Sequence, residues 1–272
     1  MAWFRLTFRL TAFGLFLAAT VMLAATLLIA DFLTRKQIDR TPWARACFRW
    51  ACRCLGLDIH VHGAPPEHNV LYASNHISWS DIPILGSLTP IRFLSKAEVG
   101  QWPVIGWLAQ QAGTLFIKRG GGQARRIRKD ISEKLKGGES VLVFPEGTTS
   151  AGLTVLPFHG LLLGAAADSG LPVQPITISY RRNGCPDHLS PFIRNDEFHT
   201  HLIAMLKQPP ARIDVLFHPP LPVTSATRTG ELAGQLQTIV TEGLARIHGQ
   251  EFDQPDVPPI RTAAAPELPH PR

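Results

Sequence analysis

The stretch Val70-Leu71-Tyr72-Ala73-Ser74-Asn75-His76-Ile77-Ser78-Trp79-Ser80-Asp81-Ile82-Pro83 decides how this chain is read. Its first four residues are an apolar run of strand length, a polar turn follows, and Pro83 suits the first turn of a helix starting at about residue 82. Working outward, further strand-like runs occupy residues 59–62, 91–94, 114–117, 140–144, 173–180 and 212–217. Helical stretches fall between or after them at 123–136, 158–168 and 229–248, the last with Leu232, Leu236, Ile239, Val240 and Ile247 at mostly helical spacing. This alternation predicts an α/β domain over residues 58–250, built on a mostly central mixed sheet flanked by helices.

What surrounds that domain is different in kind. Residues 10–30 are 21 positions without a charge, rich in Leu, Ala and Phe. At ~1.5 Å per residue the run matches the thickness of a bilayer's hydrocarbon core, so residues 1–33 are expected to form a transmembrane anchor. A cleaved secretory signal is the rival, but the run exceeds the usual apolar region of ~7–15 residues. Arg35, Lys36, Arg40, Arg45, Arg49 and Arg53 follow, against Arg5 and Arg9 in front. That bias places a single-pass protein in the inner membrane with its domain facing the cytoplasm. Thr41-Pro42 looks like an N-cap and first helical residue, and Arg45, Arg49 and Arg53 then recur every four positions. With Trp43 and Trp50 among them, residues 34–57 are expected to form a basic amphipathic helix at the membrane interface. Residues 251–272, with six prolines, are expected to be a disordered tail.

The formal net charge of +6 fits partners that carry phosphate. The positive charge clusters beside the apolar segment, not on an aromatic-studded sheet, so membrane lipids are the expected partner and nucleic acid is not. Four cysteines at these spacings give neither a disulfide framework nor a zinc pair, and no metal is expected. A phosphate loop, a dinucleotide turn and a serine nucleophile elbow are all missing from the sequence.

What remains is a histidine five residues before an aspartate. This spacing occurs at His76–Asp81 and again at His248–Asp253. Within one helix such a pair points ~140° apart, so the side chains meet only where the histidine precedes the helix in a turn. Residues 75–81 provide that turn, whereas His248 and Asp253 straddle a helix end and the tail. A base with its orienting carboxylate is one reading of His76 and Asp81, and a plain N-cap is the other for Asp81. A second constellation, Phe144-Pro145-Glu146-Gly147-Thr148-Thr149-Ser150, ends a buried strand with a carboxylate, a glycine and three hydroxyls suited to an oxyanion or phosphate. The third is Gly113-Thr114-Leu115-Phe116-Ile117-Lys118-Arg119, a strand delivering two cations.

Taken in order, these blocks resemble the glycerolipid acyltransferase family, membrane enzymes that acylate 1-acylglycerol-3-phosphate. The family's four blocks match Asn75-His76-x4-Asp81, Gly113-x-x-Phe116-Ile117-x-Arg119, Phe144-Pro145-Glu146-Gly147-Thr148 and the apolar strand Leu171-Pro172-Val173-Gln174-Pro175-Ile176. The resemblance implies that His76 is the general base on a lysolipid hydroxyl and that Asp81 holds its imidazole. It implies acceptor contacts from Asn75, Lys118, Arg119, Glu146, Gly147, Thr148 and Thr149. Backbone amides near Gly147, or in the turn after Asn75, are expected to hold the oxyanion. The acyl donor is an acyl-carrier-protein or coenzyme A thioester, and no cofactor is expected.

One position departs from the pattern: Thr149 stands where the family usually has an arginine that helps hold the acceptor's phosphate. A neutral hydroxyl holds phosphate less well than a guanidinium fork. The expected acceptor is 1-acyl-sn-glycerol-3-phosphate, with lyso-ornithine lipid, whose headgroup has no phosphate, as the alternative. A non-catalytic protein that binds anionic lipid is a third reading.

Overall fold

The computed structural model describes residues 1–118, 122–193 and 196–253. The apolar run around Tyr72 becomes β2 (Leu71–Ser74), a strand buried on both faces, and its neighbours show why it carries so little polar side-chain matter. The other strands are β1 (Asp58–His62), β3 (Arg92–Lys96), β4 (Leu115–Ile117), β5 (Val141–Val143), β6 (Val173–Arg182), β7 (Cys185–Pro186) and β8 (Arg212–Phe217). They form one sheet in the order β1-β8-β6-β2-β5-β3-β4, with β7 beside β6. Pairing is parallel except where β6 meets β7 and β8, so the sheet is mixed, as expected.

Successive side chains alternate between the two faces. Leu71, Ala73, Val141 and Val143 join a cluster with Ile127, Ile131 and Leu135 of α5 (Ala124–Lys136), Leu163 of α6 (Gly160–Ser169), and Leu236 and Val240 of α8 (Thr229–His248). Tyr72 and Leu142 face the other way, with Ile176, Ile178 and Tyr180 of β6, Cys52 of α2 (Thr41–Leu55), and Ile84 and Leu85 of α3 (Asp81–Leu88). Two short helices lie outside the sequence expectation, α4 (Ile105–Gln111) and α7 (Phe198–Lys207).

The N-terminal region differs from the expected separate anchor and lipid-facing stripe. Helix α1 (Ala2–Thr34) is long and apolar enough to cross a membrane and has only Leu6, Ala24 and Leu27 buried, yet its first turns are tied to the domain. Arg5 Nη1 donates to the Lys207 carbonyl at 2.9 Å and Arg9 Nη1 to that of Gln208 at 2.9 Å, both at the end of α7. At the other end Asp31 pairs with Arg40 at 2.7 Å. Leu6 is buried with Leu55 and Leu206, beside Phe13, Trp79 and Leu202, while Phe4, Phe8, Leu15, Met22, Ile29 and Phe32 are exposed.

In α2 the expected Thr41 cap is absent. Arg40 occupies the cap position without a side-chain cap bond, and Thr41 is already helical. Two arginines of the stripe are turned inward. Arg45 Nη2 donates to the Leu88 carbonyl at 2.7 Å and Arg49 Nε to that of Ser87 at 3.1 Å, satisfying orphan carbonyls at the end of α3. Arg53 stacks over the Trp50 ring at 5.0 Å.

The chain does not turn disordered at residue 251. Glu251–Asp253 form a 3-10 turn, and Asp253 receives both terminal nitrogens of buried Arg181 at 2.7 and 2.6 Å. Arg181 also pairs with fully buried Asp214. The rest of the expected tail, 254–272, lies outside the described residues.

Candidate active site

β2 and β5 run parallel side by side, with Leu71 opposite Val141 and Ala73 opposite Val143. Their carboxyl ends therefore release two turns next to each other, the usual place for a ligand crevice in an α/β sheet. His76 lies in the first turn, partly exposed, and its ring stacks on Phe144 from the second, centroids 3.9 Å apart and tilted by 12°. Its Nδ1 is 2.7 Å from Asp81 Oδ2.

Asp81 is the first residue of α3 and is fully buried. It does not act as an N-cap for α3. Its Oδ2 instead reaches back to the amides of Ile77 at 2.8 Å and Ser78 at 3.0 Å, and its Oδ1 accepts from the Tyr180 hydroxyl at 2.6 Å. With that many donors converging, the carboxylate accepts from Nδ1–H, so in the neutral ring Nε2 is the nitrogen without a proton. His248 and Asp253, the competing pair, are separated: His248 Nε2 lies 3.2 Å from Ser179 Oγ, and Asp253 is on Arg181.

The second turn is held to the first by Glu146. Its Oε1 accepts the His76 amide at 2.8 Å and its Oε2 the Leu156 amide at 3.2 Å. Burial pushes this carboxyl up to about 7, against the lowering effect of those backbone donors, and the nearby Asp81 charge adds to the rise. The Ser150 amide donates to the His76 carbonyl at 2.8 Å. Between them Gly147 takes a φ of 68°, a left-handed conformation open to glycine at little cost.

The structure thus joins His76, Asp81, Glu146 and Phe144, and shows which backbone groups several residues expected at the acceptor also bind. Asn75 is buried and spent on one backbone unit: its side-chain nitrogen donates to the Ile178 carbonyl at 2.9 Å and its oxygen accepts the Ile178 amide at 2.9 Å. Glu146 is likewise engaged by backbone, and the Thr149 hydroxyl donates to the Phe192 carbonyl. Gly147 and Thr148 are exposed at the mouth of the turn. Lys118 is exposed just past β4, two strands beyond β5, which at ~4.8 Å per strand is roughly 10 Å away. Arg119 lies outside the described residues.

Several of the amides expected at the oxyanion are also engaged. Those of His76, Ile77 and Ser78 serve Glu146 and Asp81, and that of Gly147 donates to the Phe144 carbonyl at 3.0 Å. Tyr180 was not anticipated from the sequence. Its one signal is a phenol at alternate spacing from Ile176 and Ile178, on the apolar face of a central strand, where a buried hydroxyl needs a partner.

The chain is similar to several known proteins. A family model described as Acyltransferase matches residues 58–179. A lyso-ornithine lipid O-acyltransferase of Pseudomonas aeruginosa is 43% identical, across 85% of this chain and 88% of its own length. One from Rhodobacter capsulatus is 34% identical across 88% and 91%. A 1-acyl-sn-glycerol-3-phosphate acyltransferase of Neisseria gonorrhoeae is 39% identical, across 48% of this chain and 52% of its own. The crystal structure of the 1-acyl-sn-glycerophosphate acyltransferase PlsC from Thermotoga maritima shares the fold, with a TM-score of 0.69 at 24% identity over 91% of this chain and 98% of that one. A buried carboxylate steering a partly exposed imidazole is chemistry suited to acyl transfer to a hydroxyl, and with likeness sustained along most of two relatives, the chain belongs to the acyltransferase family and is an O-acyltransferase.

Proposed function

We propose that the chain moves a fatty acyl group from a thioester of acyl carrier protein or coenzyme A onto the free hydroxyl of lyso-ornithine lipid. The observation that carries the reaction is the 2.7 Å contact between His76 Nδ1 and Asp81 Oδ2. His76 Nε2 takes the proton of the acceptor hydroxyl as its oxygen attacks the thioester carbonyl. Asp81 stabilises the imidazolium that forms. Collapse of the tetrahedral adduct breaks the C–S bond, and the proton passes from the imidazolium to the departing sulfur, giving an ester and a free thiol.

The choice of acceptor rests on two supports. The relatives matching most of this chain carry the lyso-ornithine name, while the N. gonorrhoeae 1-acylglycerol-3-phosphate enzyme matches about half. Thr149, where a phosphate-binding arginine is expected, is a hydroxyl turned onto the Phe192 carbonyl. The second reading, 1-acyl-sn-glycerol-3-phosphate as acceptor, draws on Lys118 beyond β4 and Arg119 beside it. Parallel assays with the two acceptors and one acyl-carrier-protein donor separate them. At least about tenfold higher kcat/KM for lyso-ornithine lipid, a difference of ~1.4 kcal/mol, is expected. The reverse ranking overturns the choice. Loss of transfer in His76→Ala is expected with either acceptor, and turnover surviving in that variant overturns the base.

Attachment to the inner membrane, with the domain on the cytoplasmic side, is supported by the exposed apolar face of α1 and the basic residues after it. Arg5 and Arg9 are bonded to α7, so the N-terminal end of α1 rests on the domain that follows it, while Asp31 pairs with Arg40 in the link to α2. That favours a helix embedded along its exposed face over a single pass across the bilayer. With Cys47, Cys52, Cys54 and Cys185 replaced by alanine, a cysteine introduced at Ala2 is expected to be labelled by an impermeant maleimide from the cytoplasmic side, and labelling from the opposite side restores the single pass.

A further inference from the structure

We propose that Tyr180 is a positioning residue of the transfer reaction: its phenol holds the second oxygen of Asp81 and thereby sets how strongly that carboxylate draws on the His76 imidazole. The inference rests on His76 acting as base.

A carboxylate offers about four acceptor positions. Asp81 Oδ2 takes His76 Nδ1 at 2.7 Å and the amides of Ile77 and Ser78, and Oδ1 takes the Tyr180 hydroxyl at 2.6 Å, the shortest of the four. Because Asp81 accepts, the phenol donates to it. Ser80 Oγ, 2.8 Å from the phenol oxygen, then donates to Tyr180. The relay has one direction, from Ser80 through Tyr180 to Asp81.

The scaffold behind it is rigid. Ile176, Ile178 and Tyr180 are alternate residues of β6 facing the cluster that also holds Ile77, Ile84 and Leu85. β6 is paired on both sides, to β2 and to β8. It grips the catalytic turn at both ends, Ile178 on Asn75 and Tyr180 on Asp81. Burial, and then the Asp81 charge, push the phenol well above its ordinary range, so it stays a neutral donor. Removing that donor makes the carboxylate more basic and favours the imidazolium, so less free base is present at a given pH.

The titratable groups around this relay are His76 and Asp81 themselves, Glu146 from the turn after β5, and Cys52 from α2. Burial pushes the Cys52 thiol up to about 12, out of the working range, but Glu146 near 7 titrates within it. The decisive readout is therefore the imidazole itself.

The test compares the full-length wild type and Tyr180→Phe in detergent, following the His76 ring nitrogens by 1H–15N NMR across pH and kcat and KM with lyso-ornithine lipid and lysophosphatidate. A charge-assisted hydrogen bond of this kind predicts a His76 midpoint raised by about half to one unit. It also predicts a kcat lowered about three- to tenfold at pH below that midpoint and converging with wild type above it, with acceptor KM changed less than about twofold. Tyr72→Phe is the structural control, since it removes a buried phenol oxygen from the same cluster, 3.3 Å from Thr89 and away from Asp81. It is expected to lower the melting temperature without moving the midpoint. An unmoved His76 midpoint in Tyr180→Phe, or an equal shift in Tyr72→Phe, overturns the inference. Should Tyr180→Phe fail to fold, Ser80→Ala must raise the midpoint in the same direction, and no rise overturns it. Turnover surviving in His76→Ala sinks the base reading instead, and the NMR midpoint reports on Tyr180 in either case.

Discussion

Glu146 and His76 meet through the side chain of one and the backbone of the other: the His76 amide donates to Glu146 Oε1 at 2.8 Å, leaving the imidazole to Asp81. The carboxyl works as a bracket between two turns. Glu146→Gln keeps one acceptor oxygen, and Glu146→Ala leaves two amides without partners, each at a cost of about 1–3 kcal/mol. The expected order of kcat is wild type, then Gln, then Ala, with melting temperatures in the same order. An alanine variant as stable as wild type but unable to bind acceptor would return Glu146 to a ligand role.

The same carboxyl gives a pH signature. Burial raises it from 4.5 to about 7, so between those values the folded chain holds a proton that the unfolded chain releases. Its contribution to stability is complete below about 4.5 and is lost as pH rises through 7. Melting curves of wild type and Glu146→Gln taken from pH 4.5 to 8 should diverge, the wild type losing ground as pH rises. Parallel curves would contradict the assignment.

Much of this site was visible in the sequence, and the reason differs from residue to residue. The β2 run and α8 show their periodicity because burial on fixed faces selects apolar side chains, and α8 has the bounds its spacing predicts. His76 and Asp81 were legible because a turn before a helix is the local geometry that lets them touch. Asn75, Glu146 and Thr149 are expected at the acceptor by resemblance, and a sequence does not show which backbone atoms their side chains also bind. Tyr180 stands 99 residues from Asp81, and only the folding of β6 beside β2 brings them together. Helix α7 is hard to read from sequence although Phe198, Leu202 and Leu206 keep four-residue spacing, because ten residues are too short a run for the period to stand out.

Phe192 links both turns: its amide donates to the Ile77 carbonyl at 2.9 Å and its carbonyl accepts from Thr149. Thr149→Val removes one of these ties and should lower the melting temperature by about 2–4 °C, with the ratio of the two acceptors' kcat/KM unchanged. Thr149→Arg should shift that ratio toward lysophosphatidate. A Val variant with altered acceptor preference would mean that the hydroxyl touches substrate.

At the far edge of the sheet, Asp253 closes on Arg181 and Arg212, and Phe252 stacks on His62 at 4.2 Å. Asp253 is partly exposed, so the ion pairs are screened. Ending the chain after Gln250 should lower the melting temperature by roughly 3–6 °C, corresponding to about 1–2 kcal/mol, with kcat per folded molecule preserved. Equal melting temperatures would show the latch to be idle.

The clamp of Arg5 and Arg9 on α7 bears on any attempt to make a water-soluble version of this enzyme. Leu6 and Phe13 cover a trench whose floor includes Leu55, Leu206 and Trp79, and Trp79 sits between His76 and Asp81 in the chain. Trimming the first helix would strip the roof from that trench and wet the loop that bears the base. The shortened protein would then owe its failure to a loosened catalytic loop as much as to lost contact with lipid, so the helix is better kept and its outer face rewritten with polar residues.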